Sequence, residues 1–346
     1  MSSLTGWIRR GMNGFENSRP CFGRSARPLG AMPLGARPLG ALKTAMAAAV
    51  LLLAAPMARA ADGDAPPETP DIIGAMQTTT AHYETTFADL AYLHNLGYVE
   101  LVAANPKLDP WMPGAGKRIT LPKRHILPNV EKQGIVINLA EPRLYYFPAD
   151  QPGTVKTFPI GIGREGLDTP TGETKVTRKR RNPAWRPTRE ARAADPSLPA
   201  VVRAGPENPL GAYALDLGWP LYLIHGTNNV WGIGRRVSRG CIRMYPNDIQ
   251  TLYNTVPSNT PVQVVEQPLK FAWDGDTFYM EAHTTTKQAG QLEKTGSFEP
   301  DADLDLKQRV MTALGERVAQ LDWATIRQAV RQRRGVPIAI GHAVES

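Results

Sequence analysis

Cysteine is nearly absent from this chain: Cys21 and Cys241 are the two among 346 residues. Long apolar runs are lacking as well. The most apolar stretch, residues 44–56, falls short of the roughly 20 residues that a membrane-spanning helix needs. The six histidines show neither H-x-x-x-H nor Cys/His ligand spacing, so no metal centre and no cofactor are expected. The formal charge of +8 is not spread along the chain either. Residues 1–60 hold eight of the 40 Lys/Arg and one of the 32 Asp/Glu, leaving 32 basic against 31 acidic residues. That near-neutral remainder argues against nucleic-acid binding.

What is present begins with an export signal. Lys43 and several arginines precede the apolar stretch, and Ala58-Arg59-Ala60 follows it as a small-x-small cleavage site. The pattern predicts a mature chain starting at Ala61, with a retained N-terminal anchor as the alternative. Upstream, Pro-Leu-Gly-Ala occurs three times between Pro28 and Ala41. Four-residue units are too short for a solenoid, whose repeats run to about 20 residues or more. This region reads as a disordered leader or an over-extended start, with Met12, Met32 and Met46 as other starts. Cys21 leaves with the leader, so the exported chain has one cysteine and no intramolecular disulfide.

Cys241 sits in Ser238-Arg239-Gly240-Cys241-Ile242-Arg243, a polar and cationic setting suited to a depressed thiol pKa. Its alternative is a buried small hydrophobe. His225 stands 16 positions earlier, in Ile224-His225-Gly226-Thr227. A thiolate is a good nucleophile, and an imidazole beside it can take its proton and return it. If the two meet in the fold, the chain is a cysteine acyl-transfer enzyme. The histidine precedes the cysteine and both lie among strands, which argues against a papain-like peptidase.

The pattern divides the rest into segments. Residues 61–77 read as a linker. Residues 78–127 form a small unit with helical spacing over 87–93 and 99–106, stopped by Asn105-Pro106, and a closing strand over 117–122. Residues 133–267 are β-rich with Gly/Pro turns, which predicts a sandwich or barrel. One helix is expected there, over 247–253, with Asn247 as N-cap. A hairpin across Asp274-Gly275 and an amphipathic surface helix over 305–333 complete a C-terminal extension, 268–346. The fold class expected is mostly β, with a small α+β N-terminal unit and a C-terminal helical appendage.

The motif His225-Gly226-Thr227, followed by Ser238-x-Gly240-Cys241-x-Arg243, resembles the L,D-transpeptidase (YkuD-like) family. Gly161–Arg164, Thr169–Gly172, Asn182–Thr188, Gly205–Gly211 and Gly232–Gly234 look like further family blocks. The match is best with the periplasmic Gram-negative branch. Residues 78–127 resemble a LysM module, through Leu101–Pro106 and Gly116–Pro122, as a glycan binder or as a brace for the next domain.

The resemblance implies a catalytic domain of the L,D-transpeptidase β-sandwich or barrel type. It also implies a periplasmic enzyme acting on the tetrapeptide stems of peptidoglycan. Cys241 is then the nucleophile and His225 the base, with the Gly226 carbonyl orienting the imidazole. Backbone N–H groups of Gly240 and Cys241 serve the oxyanion. Arg243, Ser238, Thr227 and Arg239 are the candidate substrate contacts, with hydrogen bonding inside the active-site loop as the other role for Ser238 and Thr227; Arg178–Arg181, Arg235 and Arg236 suit an anionic substrate, with a solvated charged face as the alternative for 178–181. The acceptor is a second stem, a lysine of an outer-membrane lipoprotein or a D-amino acid. The alternatives are water, in an amidase of the same fold, and a non-catalytic wall-binding protein. A monomer without nucleic-acid partners is expected.

Overall fold

The computed structural model describes residues 69–300 and 305–344. The expected leader, its cleavage site and Cys21 lie outside the described residues.

Part of the expected linker is ordered chain: β1 (Ile72–Gly74) lies within it and β2 (Gln77–Thr80) starts at its end. Helices α1 (Phe87–His94) and α2 (Tyr98–Ala104) follow, then β3 (Arg118–Leu121), antiparallel to β2, and β4 (Arg124–Ile126), antiparallel to β1. A capping box starts α1: the Asp89 N–H donates to Thr86 Oγ1 at 3.2 Å, and the Thr86 N–H donates to the Asp89 carboxylate at 3.0 Å. Asn105, at the end of α2, is buried. Its amide donates to the carbonyls of Leu101 and Thr120, both at 2.9 Å, and its Oδ1 accepts the Thr120 N–H. The residue that stops α2 thus also ties it to β3.

The central segment supplies β5 (Gly134–Asn138), β6 (Arg143–Phe147), β7 (Lys156–Gly163) and β8 (Gly172–Arg181). Next come α3 (Arg189–Ala194), β9 (Tyr213–Leu217), β10 (Leu223–His225) and a 3-10 turn over Val230–Gly232. The segment ends with β11 (Arg236–Ser238), β12 (Ile242–Met244), α4 (Pro246–Thr255) and β13 (Pro261–Val265). The sheet order is β11-β7-β12-β10-β9-β8-β13-β5-β6, and β6 pairs with β7 to close a barrel. Alternate residues, among them Ile135, Ile137, Leu144, Ile160, Ile224 and Ile242, fill its interior together with Ile249 and Leu252 of α4. Val136 and Tyr145 point outward into a second buried cluster with Leu127 and Phe147. Burial on both faces explains why β5 and β6 read as unbroken apolar runs.

Two readings of this segment need correction. The helix over 247–253 starts earlier, with Tyr245 at the cap position and Pro246 in the first turn. Proline's fixed φ suits that position and its missing N–H costs nothing there. Helix α3 was not expected at all, being six residues in a Pro- and Arg-rich loop.

The C-terminal hairpin forms from β14 (Leu269–Asp274) and β15 (Thr277–Ala282), turning at Gly275 and Asp276. The single helix expected over 305–333 does not exist. In its place, after α5 (Thr286–Thr295), come α6 (Leu306–Leu314), β16 (Ala319–Leu321), α7 (Trp323–Gln332) and β17 (Ile338–Ala343). The strands form a sheet in the order β14-β15-β17-β16. Gly315, at φ 67°, ends α6, and the Asp322 carboxylate caps a new helix by accepting the N–H groups of Ala324 and Thr325. Val318 carried the apolar period across this break, yet it is 63% exposed. Helix α5 packs elsewhere: Ala289 and Leu292 enter the core of the N-terminal unit beside Leu101 and Val102.

A buried charge cluster joins the three segments. The Lys270 ammonium lies 2.8 Å from Glu141 and 3.2 Å from Glu281 and donates to the Ile126 carbonyl. His283 Nε2 is 2.8 Å from Glu281, and the Tyr145 hydroxyl donates to Glu141 at 2.9 Å. His125 lies between Glu100 and Glu281, and Arg143 pairs with Glu100 at 2.7 Å. Burial opposes ionisation of Glu281, but Lys270 and then His283 outweigh it and hold the carboxyl well below its ordinary range. The sequence showed no constellation among the histidines outside the motif; the fold brings His125 and His283 together. His125, Glu141 and Glu281 offer ligand atoms within 4.8 Å of one another, and the Lys270 ammonium supplies the positive charge there.

Lys270→Met strands Glu141 and Glu281 without their cation. Urea unfolding is expected to show a loss of about 3–5 kcal/mol; a loss below about 1 kcal/mol would mean that the cluster does not hold the segments together.

Candidate active site

Strand β10 ends on His225, which sits between β9 and β12. Its register partner is Ala214 on antiparallel β9 and Arg243 on parallel β12. Cys241 immediately precedes β12, two positions from Arg243. Side chains alternate faces along a strand, so His225, Arg243 and Cys241 share one face of the wall. His225 and Cys241 line the same cavity, of about 680 Å³. The fold thus brings two residues 16 apart in sequence to one cavity.

The turn into Cys241 needs a glycine. Gly240 has φ +100°, and a Cβ there would stand 2.8 Å from the Tyr222 ring. Two hydroxyls hold the turn. Ser238 Oγ donates to the Cys241 carbonyl at 2.6 Å and accepts the Gly240 N–H at 3.1 Å. Thr169 Oγ1 donates to the Gly240 carbonyl at 2.9 Å and accepts the Gly163 N–H at 3.0 Å. Of the two roles open to the Ser238 hydroxyl, loop hydrogen bonding and substrate contact, the structure shows the first. The same holds for Thr227, which donates to the Asn229 carbonyl and accepts the Asn229 N–H, both at 3.0 Å. The Gly240 N–H, expected to meet an oxyanion, is occupied by Ser238; the Cys241 N–H remains of that pair.

The imidazole is fixed by its neighbour. His225 Nδ1 is 2.6 Å from the Gly226 carbonyl, an atom that can only accept, so Nδ1 carries the proton and Nε2 a lone pair. Burial, then the Arg243 guanidinium, pushes the His225 pKa down to about 4. Burial also pushes the Cys241 thiol up; the Leu223 N–H and Arg243 oppose this only in part. The thiol donates to the Leu221 carbonyl at 3.4 Å. The expectation of a depressed thiol pKa is thus corrected. At neutral pH the site holds a neutral thiol and a neutral imidazole, an arrangement that moves the proton as the sulfur attacks.

Its cationic neighbours are largely occupied. Arg235 pairs with Glu293 and lies 3.7 Å over the Tyr98 ring. Arg236 pairs with Asp168, and Arg178 and Arg180 share Asp216. Arg243 makes no ion pair among the described residues, and its buried Nε has no hydrogen-bond partner. Arg239 is exposed on the cavity lining. Arg186, likewise exposed on that lining, has no ion pair among the described residues, so Arg243, Arg239 and Arg186 are the cations available to an anionic ligand.

Sequence reasoning missed the aromatic walls: Trp185, Trp219 and Tyr222 line the cavity, the last two meeting edge-on at 6.0 Å. Trp185 comes from an irregular segment organised by the buried Asn208, which donates to the Pro183 carbonyl and accepts the Leu210 N–H, both at 2.8 Å. Irregular loops carry no hydrophobic period, so only the block Asn182–Thr188 drew attention there.

Residues 132–264 match the family described as YkuD, L,D-transpeptidase catalytic domain. Over 283 residues the chain is 38% identical to the probable L,D-transpeptidase ErfK/SrfK of Escherichia coli (strain K12), covering 80% of this chain and 89% of that protein. It is 40% identical over 253 residues to the probable L,D-transpeptidase YbiS of the same strain, covering 71% and 80%. The solved catalytic domain of the E. faecium L,D-transpeptidase, 23% identical, overlaps 40% of this chain and 99% of that one at a TM-score of 0.31. With identity of that order over nearly the full length of ErfK/SrfK, the chain belongs to the L,D-transpeptidase family.

Proposed function

We propose that the chain is a periplasmic peptidoglycan L,D-transpeptidase acting on tetrapeptide stems. Cys241 Sγ attacks the carbonyl carbon of the third stem residue, a diaminopimelate, while its proton passes to His225 Nε2. The bond to the terminal D-alanine breaks, and the imidazolium protonates the leaving amine, which leaves a thioester on Cys241. An amine then attacks the thioester and frees the thiol. That amine comes from a second stem, a lipoprotein lysine or a D-amino acid. The Cys241 N–H faces the developing oxyanion, and Arg243 and Arg239 hold stem carboxylates.

The observation that carries this reading is the locked tautomer of His225 on the cavity that Cys241 lines. The β2-α1-α2-β3 order supports a LysM-like reading of the N-terminal unit, and the packing of α5 into its core favours a brace over a glycan binder. Export through residues 1–60 goes with a periplasmic site of action, and the enzyme acts as a monomer.

Disaccharide-tetrapeptide incubated with the protein should give cross-linked dimers or D-amino-acid exchange by mass spectrometry. Tripeptide alone would mean that water is the acceptor, and unchanged tetrapeptide would overturn the reading. Cys241→Ala should bring turnover to background. The pH profile tests the imidazole: the acylation rate should stay level between about pH 6 and 8 and fall only toward 4, since His225 must be neutral to take the proton. A half-maximal rate near the ordinary imidazole pKa, about 6.5, would contradict the burial argument.

A further inference from the structure

We propose that Thr169 is a positioning residue that aims the Cys241 N–H at the oxyanion. The inference rests on the acyl-transfer reading above. The Gly240–Cys241 peptide group is planar, and in the trans form its C=O and N–H point in opposite directions. The Thr169 hydroxyl holds that C=O at 2.9 Å and is itself held by the Gly163 N–H. Thr169 is buried and lies behind the turn, outside the cavity lining. Drawing the carbonyl to the back turns the Cys241 N–H to the front, toward the sulfur's side of the loop.

The neighbouring contacts make this aim matter. Ser238 holds the next carbonyl, that of Cys241, so each peptide group flanking the Cys241 Cα is fixed by one hydroxyl. Because Ser238 also occupies the Gly240 N–H, the Cys241 N–H is the donor whose direction counts. Gly240 is where that peptide would otherwise turn, since glycine rotates at little steric cost. The Thr169 anchor is itself fixed: the adjacent Asp168 pairs with Arg236, and its carbonyl lies against Gly240.

Two reagents separate the aim of the N–H from the placement of the thiol. With p-nitrophenyl acetate, an S–C bond forms, the carbonyl electron pair moves onto oxygen, and collapse expels p-nitrophenolate, leaving an acetyl thioester; the thiol proton goes to His225. With iodoacetamide, an S–C bond forms and iodide leaves, the thiol proton again going to His225, and no oxyanion arises. Both rates are measured on the whole chain for wild type, Thr169→Val and Thr169→Ser.

Thr169→Val should slow acetylation about 10- to 100-fold, less than or equal to the loss of a whole oxyanion donor, and leave alkylation unchanged. Thr169→Ser should restore most of the acetylation rate. With tetrapeptide, kcat should fall and KM stay. Equal acetylation in Thr169→Val, a parallel loss of both rates, or a serine variant no better than valine overturns the proposal. If the valine variant does not fold, Thr169→Ala, which leaves room for a water at the Gly163 N–H, is judged by the same two rates. Wild type that alkylates but does not acetylate would overturn the acyl-transfer reading instead.

Discussion

The parallel pairing of β10 with β12 is the constraint on which the site depends. It sets His225 level with Arg243 and leaves Cys241 one step before the strand, on the same face. Because side chains alternate along a strand, a slip of one residue would turn His225 into the barrel core and separate it from Cys241. The register is held from both sides: Ile224 and Ile242 are fully buried in the barrel interior, and β9 pairs along the other edge of β10. The core fixes the chemistry by fixing the register.

Burial then decides the protonation states. Taking the imidazole and the thiol out of water disfavours the charged form of each. Arg243, the arginine that acts on the thiol, does not reverse this, because the effect of burial is larger than its attraction and that of the Leu223 N–H together. The site therefore stores its proton on sulfur and its lone pair on His225 Nε2. Backbone and hydroxyl contacts orient the rest: a carbonyl holds the imidazole, and Thr169 and Ser238 hold the turn into Cys241. Among the described residues no acidic side chain takes part in holding the imidazole.

The three segments that composition and periodicity separated are not independent. Helix α5 completes the core of the N-terminal unit, and the Lys270 cluster connects β4, the β5–β6 turn and the C-terminal sheet. Such a cluster is weak evidence for net stability, since an apolar replacement of the whole set is often neutral or better. Its effect is on pairing: each carboxylate requires its cation or imidazole, and these come from different segments.

Strong local signals were legible in the sequence. The apolar runs of β5 and β6, the helical period of α1 and α2, the Asp-Gly region of the C-terminal hairpin and the His225–Cys241 motif each state their own structure within a few residues. Short strands such as β9, β11 and β12 were not legible, because three to five residues that include an Asp or Arg have no period to read. The false helix over 305–333 arose because Val318 continued the apolar spacing by coincidence across Gly315. Thr169, Trp185, Trp219, Tyr222, Lys270 and Glu281 owe their places to partners more than 60 residues away or to irregular loops. What the sequence determined by itself was the chemical repertoire, one thiol and one imidazole in a glycine- and arginine-rich motif on a β framework. Only the tertiary structure decided that both are neutral, which N–H of the turn is held by a hydroxyl and which arginines are paired, because those depend on burial and on long-range hydrogen-bond partners.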